Sequence, residues 1–198
     1  MKKYIAILLL SLISMNCKSQ SQIINLKNDD GSGLAGVYYK DVDNFMNYFV
    51  GTWVFSNTTK YWKIVLLKKT KMYNGKFYED VIVGGVEYKE NGVTKVNTLS
   101  YLNSNMNYYD YPISGNSIYP NHTPRCLDCL PNELRLGLSY YELNPDTTFG
   151  TMILRKKTVN GQDAIQLRLT ANMVLHKEGT AMPNVFKLPV GTYTLIKQ

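Results

Sequence analysis

Cys126-Leu127-Asp128-Cys129 is the sharpest chemical feature of the chain. Two cysteines at this spacing, with His122 shortly before them, support three chemistries. An oxidising compartment would close them into a disulfide, the reading taken here. Kept reduced, His122, Cys126 and Cys129 form an H-x₃-C-x₂-C set offering zinc three ligands, with Asp128, Glu133 or His176 to supply a fourth. A thiolate stabilised by the adjacent Arg125 would serve redox exchange, but no βαβ pattern surrounds it. Other catalytic groups are sparse. His122 and His176 are the only histidines, and no G-x-S-x-G elbow occurs, so a Ser-His-Asp relay has little to draw on. Glu79 and Asp80 are neighbours in an extended pattern and point to opposite faces, which rules them out as a facing carboxylate pair. Gly31-Ser32-Gly33-Leu34-Ala35-Gly36 spells G-x-G-x-x-G, but Asn28-Asp29-Asp30 stands where a dinucleotide site needs a buried strand. No enzyme and no cofactor are expected.

The elements that must hold these residues are strands. Asn74-Gly75, Asn91-Gly92 and Asn160-Gly161 sit between apolar or alternating runs, and Gly115-Asn116 joins Ile113 to Ile118. Two-residue hairpin loops need positive φ at both positions, which Asn and Gly tolerate best. Leu134, Leu136, Leu138 and Tyr140 alternate with Arg135, Gly137, Ser139 and Tyr141, and Ile165, Leu167 and Leu169 alternate with Gln166, Arg168 and Thr170. A period of two puts one face inward and the other outward. About ten strands are predicted, near 52–57, 61–73, 76–90, 93–101, 108–114, 117–120, 134–142, 150–159, 162–170 and 190–197. Short links in chain order predict an all-β antiparallel meander of about 8–10 strands closing into a barrel, which removes exposed edges; a β-sandwich is the alternative. Gly84-Gly85 within the third strand suggests a bulge or bend.

The 198 residues, 44% of them hydrophobic, suffice for one domain with a real core. The formal charge of +7 includes Lys2 and Lys3, and without them the balance is too mild for a nucleic-acid footprint. Lys60, Lys63, Lys68, Lys69 and Lys71 gather near one hairpin as a solvated strand face, with anionic lipid or polysaccharide as the other reading. Met1-Lys2-Lys3 followed by the apolar run 5–13 has the form of a signal peptide. Nine helical residues rise about 14 Å, against a hydrocarbon core of about 30 Å. Residues 1–16 are therefore expected to be removed, 17–36 to form a lipidated N-terminus and polar tether, and 37–198 the barrel.

Ser14-Met15-Asn16-Cys17 resembles a bacterial lipobox, which implies a diacylglycerol thioether on Cys17 and a membrane anchor through lipid. Gly51-Thr52-Trp53, after a short helical turn over 41–48, resembles the G-x-W that opens the first strand of lipocalins. In that family the Trp plugs one barrel end and a late arginine packs across it; Arg168 and Arg155 are the candidates here. The resemblance implies a barrel that takes a small apolar or amphipathic ligand. A wider resemblance, to an uncharacterised family of small Bacteroidota lipoproteins, rests on Lys18-Ser19-Gln20, Tyr39-Lys40-Asp41-Val42-Asp43, Phe49 to Trp53 and Glu90-Asn91-Gly92. It continues through Pro124 to Cys129, Pro131-Asn132-Glu133 and Gly191 to Lys197. It implies an outer-membrane lipoprotein, periplasm-facing because no acidic residue follows Cys17 directly. The alternative to a ligand-bearing barrel is a filled one that presents its tyrosine-rich loops to an envelope protein or glycan partner. Asp146-Thr147-Thr148 resembles O-glycan acceptor sequences of these bacteria.

Overall fold

The computed structural model describes residues 21–142, 149–172 and 187–198. Eleven strands run through them: β1 (Ile23–Asn25), β2 (Tyr38–Lys40), β3 (Gly51–Ser56), β4 (Lys60–Tyr73), β5 (Tyr78–Glu90), β6 (Val93–Asn97), β7 (Ile113–Tyr119), β8 (Arg135–Tyr141), β9 (Phe149–Val159), β10 (Gln162–Ala171) and β11 (Gly191–Lys197). Helical structure among the described residues is limited to short 3₁₀ turns such as Phe45–Phe49 and Leu99–Asn103. Strands β3, β4, β5, β7, β8, β9, β10 and β11 are joined in chain order into a closed antiparallel ring, sealed where β11 meets β3 and where β7 meets β5. Closure excludes the sandwich. Asn91-Gly92 and Asn160-Gly161 take positive φ at both residues, which lets two-residue turns follow the twist of the flanking strands.

Alternation fills the ring from all sides. Trp53, Trp62, Ile64, Leu66, Ile82, Val86, Tyr88, Leu136, Leu138, Tyr140, Met152, Leu154, Ile165, Leu167 and Leu195 are buried in one hydrophobic cluster. Trp62 stacks on Tyr193 with ring centroids 4.7 Å apart and meets Tyr88 edge-on at 5.5 Å. Burying each such side chain stabilises the fold by about 1.5–3 kcal/mol, so the interior is the main source of cohesion.

Four expectations need correcting. First, Gly115-Asn116 is not a hairpin turn. It is a bulge inside β7, where Ser114 pairs with Ser139 but Ser117 pairs with Gly137. The Asn116 amide donates to Glu79 Oε2 at 2.5 Å and to the Asp80 carbonyl at 3.1 Å. The residues before β7 form a 3₁₀ turn, Tyr108–Asp110, in place of a strand. Second, β6 ends at Asn97 and lies outside the ring, because one edge of β5 is divided among three partners: β2 at Tyr78 and Glu79, β7 at Ile82 to Gly84, and β6 at Glu87 to Glu90.

Third, register between β4 and β5 runs unbroken through Gly84-Gly85, and the irregularity falls at Lys69/Met72, where Lys71 has φ 53°. The two glycines serve close approach instead. A Cβ on Gly84 would stand 2.8 Å from the Val65 carbonyl, and one on Gly85 2.8 Å from the Thr98 carbonyl. Fourth, the coil expected over 17–36 does not extend through its described part. β1 pairs in parallel with β2, and Leu26 is buried in the main cluster. Gly31 to Gly36 form a loop that leads directly to β2, with the Leu34 N–H donating to the Tyr39 hydroxyl at 2.9 Å. Cys17, His176 and Asp146-Thr147-Thr148 lie outside the described residues.

Candidate functional site

Period-two alternation on β8, β9 and β10 turns Leu136, Leu154 and Leu167 into the barrel and, with them, Arg135, Arg155 and Arg168 outward. Arg155 lies opposite Gln166, and Arg168 lies opposite both Ile153 and Thr192 of β11. Four adjacent strands therefore carry a row of cationic and polar groups on their outer wall. The connection 120–134 folds back over this wall and roofs a cleft of about 320 Å³, lined by Arg125, Asp128, Arg135, Arg155, Arg168 and Thr192 among others.

The roof is fastened in two ways. Cys126 and Cys129 are joined by a disulfide with their Cα atoms 5.4 Å apart, as their spacing in an oxidising compartment predicts. With both sulfurs in that bond, neither thiolate is available to the His122-Cys126-Cys129 metal set. Although Asp128 is close to the two sulfurs, it is committed elsewhere: Arg155 Nη1 donates to its Oδ2 at 2.7 Å and Nη2 to its carbonyl at 2.6 Å. The same guanidinium grips Glu133 as a fork, Nε to Oε1 at 2.5 Å and Nη2 to Oε2 at 2.9 Å. Glu133 in turn accepts from the Leu130 N–H at 2.8 Å. These bonds to Arg155 hold both the Asp128 and the Glu133 carboxyls below the ordinary carboxylate range, and Glu133 raises the Arg155 guanidinium.

Arg135 is 4% exposed, and its Nη2 donates to the carbonyls of Pro120 at 2.7 Å and Pro124 at 2.5 Å. Its Nε is one of two buried side-chain donors without a hydrogen-bond partner among the described residues; the other is Trp62 Nε1 inside the barrel. Burial pushes the Arg135 guanidinium down, and the like charges of Arg155 and Arg168 add to this against the opposing pull of Glu133.

Gly51 and Trp53 open β3 directly after the turn Phe45–Phe49. Trp53 is fully buried and donates from Nε1 to the Phe49 carbonyl at 2.7 Å. The cation beside it is Lys197, with Nζ 5.3 Å from the ring centroid. Neither Arg155 nor Arg168 takes that place, since both face outward. Tyr48 ties the turn to β9 and β10 through the carbonyls of Lys157 at 2.8 Å and Ala164 at 3.0 Å. Glu79 and Asp80 are both buried and both spent. Glu79 accepts from Asn74, Tyr108 and Asn116, while Asp80 accepts from the Tyr38 hydroxyl at 2.5 Å and from the Asp41 and Lys71 N–H groups at 3.0 Å. Burial, followed by these carboxylates, raises the Tyr38 and Tyr108 hydroxyls. Of the lysine group, Lys68 is paired with Asp41 at 2.7 Å.

A family of unknown function, DUF6705, matches residues 1–198, the whole chain. The chain belongs to that family. No curated protein and no solved structure matches it. In this DUF6705 member the arginine row escaped sequence reasoning because its residues are scattered over 125–168. The available signal was their place at outward positions of three consecutive alternating strands.

Proposed function

We propose that this DUF6705 member is a non-enzymatic cell-envelope lipoprotein of the Bacteroidota type. It is anchored through lipid on Cys17 at the outer membrane, facing the periplasm, with a filled barrel that presents its outer wall and loops to a protein or glycan partner. The observation that carries this reading is the occupied interior: Trp53, Trp62, Tyr88 and Tyr140 are almost wholly buried in one hydrophobic cluster of the ring, where a ligand-bearing barrel keeps a cavity. Glu79, Asp80 and Asp128 are committed to structural bonds, so the reading assigns them no catalytic role.

A second reading, a small amphipathic ligand, is favoured by a cleft of about 190 Å³ lined by Val96 and Tyr101 beside Lys95, Lys187 and Glu142. There an apolar body would lie against Val96 and Tyr101 and an acidic head would meet the lysines.

The anchor is tested by the intact mass of the protein extracted from membranes, with and without reductant. A chain beginning at Cys17 and carrying two or three acyl groups, gaining two hydrogens on reduction, is the expected result. An unmodified chain cleaved elsewhere would overturn it.

A further inference from the structure

We propose that the outer-wall cleft under the disulfide loop is a binding site for a phosphate monoester of about sugar size. This goes beyond the scaffold reading and does not depend on the lipid anchor. Arg125, Arg135, Arg155 and Arg168 converge on the cleft, against the two carboxylates Asp128 and Glu133 that Arg155 holds. Two positive charges are left over. That surplus matches a phosphate monoester, whose charge near neutral pH is about −1.5 to −2, better than it matches a single carboxylate. Guanidinium forks suit phosphate oxygens geometrically, and Arg is less strongly hydrated than Lys, so it gives up water to an anion more readily.

The positions of the four arginines divide the work. Arg155 is consumed in holding the roof to the wall. Arg125 and Arg168 are exposed and make no ion pair among the described residues, so their donors are free for the anion. Arg135 lies beneath them, anchored by its Nη2 to two carbonyls, with one buried donor unspent. Like charges held together on one wall oppose folding, and burial beside Arg155 and Arg168 already depresses Arg135. An anion in the cleft would relieve both effects. The remaining surface suits the rest of a sugar: Gln166 and Thr192 offer polar partners, and Ile153 gives an apolar floor. At about 320 Å³ the space is at the lower end for small-molecule pockets and larger than bare phosphate needs.

The phosphate could be presented on a soluble sugar or as a lipid headgroup, since Leu127 and Leu130 of the roof are exposed nearby. The experiment is calorimetric titration of the full chain in detergent micelles with glucose 6-phosphate, glucuronate and glucose, alongside sedimentation with vesicles containing phosphatidic acid. Saturable binding of glucose 6-phosphate is expected, at least tenfold weaker in Arg168→Gln and in Arg125→Gln, weaker in high salt, and absent for glucose. Lys63→Gln, on the far wall in β4, should bind as the wild type does. Both arginines are exposed, so neither variant removes a core contact. Binding to the vesicles but not to the sugar phosphate, lost in the same variants, would equally support the site and identify the headgroup as the source. Glucuronate binding as tightly as glucose 6-phosphate would overturn the assignment. So would unchanged affinity in both arginine variants, or no saturation by either phosphate up to about 10 mM.

Discussion

Arg155 is almost wholly buried, yet it is the residue on which the disulfide loop hangs. Its guanidinium reaches two carboxylates and a carbonyl contributed by that loop. Glu133 is the better covered of the two carboxylates, with its side chain 15% exposed against 71% for Asp128. Glu133→Gln should therefore destabilise the protein by about 1.5–3 kcal/mol, the usual worth of a hydrogen bond to a charged group. Urea melts would show the midpoint fall with an unchanged slope. The sign of the pH effect follows from the lowered carboxyls: their pairing stabilises above the ordinary carboxylate range and is lost as pH falls through the lowered folded values. Acid melts of the wild type should steepen in that window, and Glu133→Gln should flatten them. Cys126 and Cys129 were legible as a disulfide because their spacing and the expected compartment agreed. The partnership of Arg155 with Glu133 was not, since 22 residues separate them.

At the scale of elements, β5 is the organising strand. One of its edges runs along β4 without interruption from Lys60 to Lys69, and the other is shared by β2, β7 and β6. Gly84 and Gly85 permit this because nothing larger fits beneath Val65 and Thr98. Gly84→Ala should cost about 1–3 kcal/mol through overpacking against a backbone that cannot yield, read as a lowered melting temperature. The larger loss should be local, with faster amide exchange in β7.

Much of this layer was legible. The Asn-Gly turns at 91–92 and 160–161 and the alternation on β8 and β10 gave strands in nearly the right places. Gly115-Asn116 misled because the reversed pair, Gly before Asn, serves a bulge as well as a turn, and only the distant Glu79 decides which. The polar sequence of 21–36 concealed a strand for a similar reason, since three residues of parallel pairing and one buried Leu26 leave little periodic trace.

For the whole molecule, the ring and its contents argue for a scaffold. Eight strands make a barrel just wide enough for side chains to fill, and two tryptophans and several tyrosines fill this one. A lipocalin-like ligand was the natural expectation from Gly51 and Trp53, because sequence reveals which positions face inward but not how much room they leave. The outer wall, with its arginine row and roof, is where the chain instead concentrates unspent chemistry. The most direct test of the filled barrel is native mass spectrometry of the protein purified from membranes in mild detergent, followed by organic extraction. A filled barrel gives the mass of the chain with whatever is covalently attached to it and no stoichiometric apolar molecule in the extract. A single apolar compound released at one per protein would contradict it and return the lumen to the centre of the function.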